Sequence, residues 1–297
     1  MKKNIIIFIM LIPILIFYSL AGATQAMARV NVFVSILPQA YFVERVGGEH
    51  IDVEVLVGEG QSPATYEPSP QQMTKLSLAK SYFAIGVPFE KKLMAKIKQS
   101  HKALVVVETQ KGITYRYLDD QRHDRENKDS LGGRSKTPDP HIWMDPKLVM
   151  VQARNIHDAL CALDPTNANS YSNNLKAFIS DLERVDGRIK AALAPVKGKS
   201  MYVFHPAFGY FADSYGLRQV SIEIEGKEPS AKQLASVIDK AKAEDVRVIF
   251  VQPQFSRKSA ESIARAIGGV VVPINPLARD YLANLERIAL MIESSLR

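Results

Sequence analysis

Short β-branched runs alternate with amphipathic stretches along most of the chain. Apolar runs at 30–36, 51–57, 82–87 and 103–107 predict four strands, and runs at 201–204, 219–222, 246–251 and 270–274 predict four more. Strands that alternate with helices of about 10–15 residues pack as parallel sheets flanked by helices, so each set predicts one α/β lobe of the (βα)4 type. Between the sets, residues 168–194 carry Tyr171, Leu175, Phe178, Ile179, Leu182, Val185, Ile189 and Leu193, spaced mostly by three and four, with Pro165 before the run and Pro195 after it. A helix of that length would be about 40 Å long, roughly the height of a domain. Either it joins the two lobes and resists bending between them, or it is a long ordinary helix of one lobe. The expected organisation is an N-terminal lobe at 29–164, a rigid linking helix at 165–195 and a C-terminal lobe at 196–297, with a cleft between the lobes.

Two segments break the pattern. Residues 1–28 join Lys2 and Lys3 to an apolar run from Ile5 to Leu20 and end Ala26-Met27-Ala28. That is the layout of a secretory signal peptide with an A-x-A cleavage site. Pro13 interrupts the run, which falls short of the roughly 20 residues a membrane span needs. At 119–138, Asp, Arg, Asn, Ser, Gly and Lys replace the apolar periodicity, and the segment reads as a mobile, solvated, charged loop.

Composition narrows the class. The chain has 297 residues, 46% of them hydrophobic and 23% charged, which excludes a disordered or collagenous protein. Removal of the leader leaves a net charge of +5. The basic residues are scattered over polar helix faces without interleaved aromatics, so nucleic acid is not an expected partner. The one cysteine, Cys161, lies in an apolar helical stretch far from the cleavage site. It can form no intramolecular disulfide, and it is not placed to anchor a lipoprotein. A soluble periplasmic protein is expected, monomeric by default.

Two of the six histidines stand at positions suited to ligand binding. His141 lies in DPHIWMDP at 139–146, bracketed by two stiff Asp-Pro pairs and followed by the only tryptophan, Trp143. His205 follows the strand predicted at 201–204, and the carboxyl end of a strand is where α/β folds bind ligands. Two imidazoles meeting across a cleft could hold a transition metal. Asp139 and Asp145 could orient an imidazole through its other nitrogen, or could serve as turn and capping residues.

The segments SPATYEPSP at 62–70, DPHIWMDP at 139–146, FHPAFGYFADSYGL at 204–217, EGKEPSAKQL at 225–234, FVQPQFS at 250–256 and INPLARDY at 274–281 together resemble the periplasmic receptors of zinc and manganese ABC importers. The resemblance spans nearly the whole chain after the leader. It implies a metal held between two lobes joined by a rigid helix, and delivery to a membrane permease. Residue by residue, it carries ligands over to His141 and His205, and a histidine at the latter position goes with zinc rather than manganese. The family's first imidazole is replaced by Ala64, its late aspartate by Asn275, and a glutamate of its Phe-Val-Glu-Pro segment by Gln252. Asn275 and Glu67 are candidate replacement ligands, and Gln252 is a candidate supporting residue.

Other function classes compete with this one. A zinc hydrolase would also use histidines and an open coordination position, but no H-E-x-x-H, G-x-S-x-G or P-loop motif is present, so no enzyme activity is expected. A receptor scaffold that has lost metal ligands could instead bind a protein partner as an adhesin, or take another ligand.

Overall fold

The structure, a computed structural model, describes residues 29–100, 103–118, 137–223 and 230–297. The leader at 1–28 and residues 119–136 of the charged segment lie outside the described residues. The first half runs β1 (Val30–Ile36), α1 (Leu37–Gly47), β2 (Ile51–Val57), α2 (Pro70–Leu78), β3 (Ser81–Ala84), α3 (Glu90–Ser100), β4 (Val105–Glu108) and α4 (Pro146–Leu163). Helix α5 (Ala168–Leu193) leads into β5 (Ser200–Val203), α6 (Gly209–Tyr215), β6 (Arg218–Ser221), α7 (Ala231–Ala243), β7 (Val248–Val251), α8 (Arg257–Ala266), β8 (Val270–Pro273) and α9 (Tyr281–Leu296). Two parallel four-stranded sheets result, ordered β2-β1-β3-β4 and β6-β5-β7-β8. This is the two-sheet α/β architecture that the alternating pattern predicts.

Several boundaries move for local reasons. The run expected to be extended to residue 87 leaves its sheet at Ala84, because the Ile85 and Gly86 amides bond at 2.9 and 2.7 Å to the buried Glu90 carboxylate and Gly86 takes φ +93°. Helices α2 and α7 each start with the same capping box. Ser69 accepts from the Gln72 amide while Gln72 accepts from Ser69, and Ser230 and Gln233 repeat the arrangement.

The core does not divide at the sheets. One continuous apolar cluster runs from Val32, Phe33 and Phe42 through Phe178 and Leu182 of α5 to Met201, Val203 and Phe211, and a smaller one lies around Tyr202, Ile222, Ile249 and Ile263. The last helix, α9, packs on α5, with Tyr281 edge-on to Phe42 of α1 at 4.7 Å. The C-terminal end of the chain is thereby built into the wall shared by both halves.

In doubly wound sheets, ligands collect where the strand order reverses, at the carboxyl ends of the strands. The first reversal, between β1 and β3, is filled by the protein itself: Tyr82 and Glu90 close on Ser35, while Gln39 donates to Thr109 at 3.2 Å. Burial raises the Glu90 carboxyl above its ordinary value despite its hydrogen bonds. The second reversal, between β5 and β7, carries His205 and Gln252.

Candidate metal centre

Residues 139–145 form a tight turn whose 3-10 segment, Ile142–Met144, is buried on the way into α4. The Asp145 carboxylate caps α4 through the Lys147 amide at 2.9 Å. Asp139 folds back on its own neighbour. Its Oδ1 accepts from the His141 backbone amide at 3.0 Å and faces His141 Nδ1 at 2.7 Å. On the opposite side, Gln252 clamps the His205 backbone, accepting from its amide at 3.1 Å and donating to its carbonyl at 2.8 Å. His205 Nδ1 faces Glu223 Oε2 at 3.0 Å, and Phe255 stacks on the imidazole at 4.7 Å between ring centroids.

The two imidazoles point at each other, with Nε2 to Nε2 3.2 Å apart. Because each Nδ1 faces a carboxylate oxygen, the proton belongs on Nδ1 and the lone pair on Nε2. Two lone pairs at that separation repel unless a cation lies between them. Two imidazole nitrogens bound to one tetrahedral zinc at about 2.0–2.1 Å lie about 3.3–3.4 Å apart, so the observed spacing matches that donor set. Among the described residues no group of three or more His, Cys, Asp or Glu side chains gathers as a metal site. The arrangement therefore offers two strong donors and leaves other coordination positions to water or small ligands.

Burial lowers the His205 pKa below its ordinary 6.5, the nearby His141 adds to this, and Glu223 opposes it. Burial would push the Asp139 carboxyl up, but the charge and hydrogen bonds of His141, with the Arg116 hydrogen bond, hold it below the usual range. The sign for stability follows. As pH falls below about 6.5 the unfolded chain protonates this histidine while the fold resists, so the unfolded state binds more protons and the fold loses stability. The metal-free protein is expected to lose more melting temperature between pH 7.5 and 5.5 than His205→Gln does. Equal losses in the two proteins, measured by calorimetric scans, would contradict this reading of His205.

The other residues singled out from sequence make the following contacts. Glu67 is largely exposed, 3.5 Å from Lys92, as expected for a side chain on the outer face of a capped loop. Ala64 is exposed on that same loop. The Asn275 side-chain oxygen accepts from the Leu277 amide at 2.9 Å, a bond that shapes the turn before α9. Asp145 accepts from Ser214 of α6 at 2.6 Å.

Sequence reasoning missed Glu223. It is 3% exposed, lies just past β6, and its Oε1 has no hydrogen-bond partner among the described residues. The available signal was an acidic residue directly after Ile222, at a strand's carboxyl end. The result is a matched pair, Asp139–His141 and Glu223–His205, in which a carboxylate faces the Nδ1 of each imidazole and orients it.

A family profile described as zinc-uptake complex component A, periplasmic, matches residues 32–294. The zinc-binding protein AdcA of Streptococcus pyogenes serotype M3 is 30% identical over 292 residues, covering 93% of this chain and 56% of AdcA. The chain thus spans about half the length of those relatives. The high-affinity zinc uptake system protein ZnuA of Bacillus subtilis is 29% identical and is covered over 79% of its length. Among solved structures, a crystal structure of ZnuA superposes with a TM-score of 0.83 at 39% identity, over 91% of this chain and all of that one. The laminin-binding protein Lmb of Streptococcus agalactiae, described as having adhesin and metal-transporting activity, superposes with a TM-score of 0.78 at 25% identity, over 91% of this chain and all of that one.

Proposed function

Because the chain belongs to the family of zinc-uptake complex component A, periplasmic, we propose that it is an extracytoplasmic receptor that captures zinc and delivers it to the permease of an ABC importer. The observation that carries the reading is the 3.2 Å approach of His141 and His205 through their Nε2 atoms, each imidazole backed by a buried carboxylate. Nitrogen donors favour zinc over manganese, which prefers oxygen. The role is binding rather than catalysis, since transport needs only reversible capture. The leader-like residues 1–28 and the absence of any cysteine near their end support a freely soluble periplasmic form.

Ala64 and Asn275 set the expected strength. Two imidazoles plus water form a weaker site than three imidazoles and a carboxylate, and weaker capture also makes release to a permease easier. Calorimetric titration of chelator-treated protein should show one zinc per chain and weaker manganese binding. Ala64→His should tighten zinc binding by adding an imidazole from the exposed loop at the start of α2. Absence of zinc binding in the parent protein would overturn the proposal. The likeness to Lmb favours a second reading, a protein-binding adhesin, which purification free of metal together with tight binding of a protein partner would support.

A further inference from the structure

We propose that Arg116 is a positioning residue of the metal centre: it ties the carboxylate behind His141 to the helix that follows His205, and so sets the separation of the two imidazoles. The proposal rests on the zinc-receptor reading above. Arg116 Nη1 donates to Asp139 Oδ2 at 2.7 Å, while its Nε donates to Asp213 of α6 at 3.0 Å. One planar guanidinium thereby bridges two carboxylates, one belonging to the turn that carries His141 and one to the opposite lobe.

The main chain reinforces the tie. The Asp139 amide donates to the Arg116 carbonyl at 2.9 Å, the Arg116 amide donates to the Tyr210 hydroxyl at 3.0 Å, and that hydroxyl donates to the Asp139 carbonyl at 3.0 Å. Asp139 is fully buried, so its position is set by these partners rather than by solvent.

Gly209, the first residue of α6, is shaped for this contact. A Cβ there would lie 1.6 Å from Arg116 Nη1 and 2.9 Å from Asp139 Oδ2. Gly209 has no positive φ, so the need for glycine at this position comes from the guanidinium packed over it and not from backbone conformation. The two histidines are also treated unequally. The carboxylate behind His141 is neutralised by an arginine, whereas the one behind His205 keeps a free oxygen among the described residues.

The test uses the full-length mature protein, with zinc titrated against a competing chelator and Trp143 emission as the local reporter, since its ring lies 5.2 Å from that of His141. Arg116→Gln should weaken zinc binding by roughly 10–100-fold, the usual cost of a supporting partner. Arg116→Lys should recover part of that loss. Gly209→Ala should reproduce the loss without removing any charge, and adding it to Arg116→Gln should cost less than it does alone, because the guanidinium is gone and only the 2.9 Å approach to Asp139 Oδ2 remains. In a His141→Ala background, where a single imidazole donor remains, Arg116→Gln should cause no further loss of zinc binding. A merely structural role would lower the melting temperature of the metal-free protein, as stranding the buried Asp139 carboxylate does in either case, without weakening zinc binding by the folded protein. Parent protein that binds zinc together with an Arg116→Gln variant of unchanged or tighter affinity overturns the proposal, and parent protein that binds no zinc overturns the underlying reading instead.

Discussion

His205→Ala is expected to lose zinc affinity by more than the roughly 10–100-fold that removal of a supporting partner costs, because it deletes one of only two imidazole donors. A two-donor site has no reserve, since among the described residues no third His, Cys, Asp or Glu joins the pair. The substitution has a second consequence. It leaves Glu223, 3% exposed, with neither carboxylate oxygen partnered among the described residues. An unsatisfied buried acceptor costs about 1–3 kcal/mol, and more when charged. His205→Ala should therefore lower both zinc affinity and metal-free stability, which makes the single variant ambiguous. Adding Glu223→Gln separates the effects by removing the stranded charge, so stability should recover while zinc binding does not. Chemical denaturation and zinc titration on the same three proteins would measure both. Recovery of zinc binding in the double variant would mean that His205 acts through stability and is not a ligand.

The architecture was legible because both of its signals are periodic. Eight β-branched runs and a 3–4 apolar stripe from Tyr171 to Leu193 are local patterns, and the structure places all eight strands and helix α5 close to them. His141 and His205 stood out through rigid flanking prolines and a strand end. The residues that aim them were less visible. Glu223 is one acid beside an apolar strand, and Arg116 is separated from Asp139 by 23 positions that include the charged segment. No period links such residues, because their partnership exists only after the sheets and α6 are assembled. The same holds for Tyr281, whose hydroxyl donates to the Trp143 carbonyl at 2.7 Å while the Trp143 indole donates to the Pro276 carbonyl at 2.9 Å. These two bonds fasten the turn that carries His141 to the start of the last helix. Within the motif INPLARDY, the Asn275 side-chain oxygen accepts from the Leu277 amide and its backbone carbonyl from the Asn284 side chain, bonds that shape the turn before the last helix.

The largest stability effect is expected from Phe178→Ala, far along the chain from either histidine. Phe178 is fully buried on α5, where α1 crosses it. Its ring packs against Tyr41 and Phe42 at 6.0 Å each, and the Arg45 guanidinium lies 5.0 Å from its centroid while pairing with Asp181 at 2.6 Å. Truncation removes the ring from a cluster that extends through α5 into both halves, so neighbouring groups can collapse only partly into the gap. Buried Phe→Ala changes cost about 3–5 kcal/mol, and the lost cation–π contact adds to that. Leu290→Ala, at a side chain that is mostly exposed on α9, should stay within about 0.5 kcal/mol and serves as the control. Zinc would mask part of the loss by binding only the folded state, so the comparison belongs in metal-free protein. Because Phe178 makes no contact with either imidazole among those described, the zinc affinity of the folded fraction should be unchanged. A Phe178→Ala protein as stable as the parent would show that α5 does not hold the halves together through this cluster.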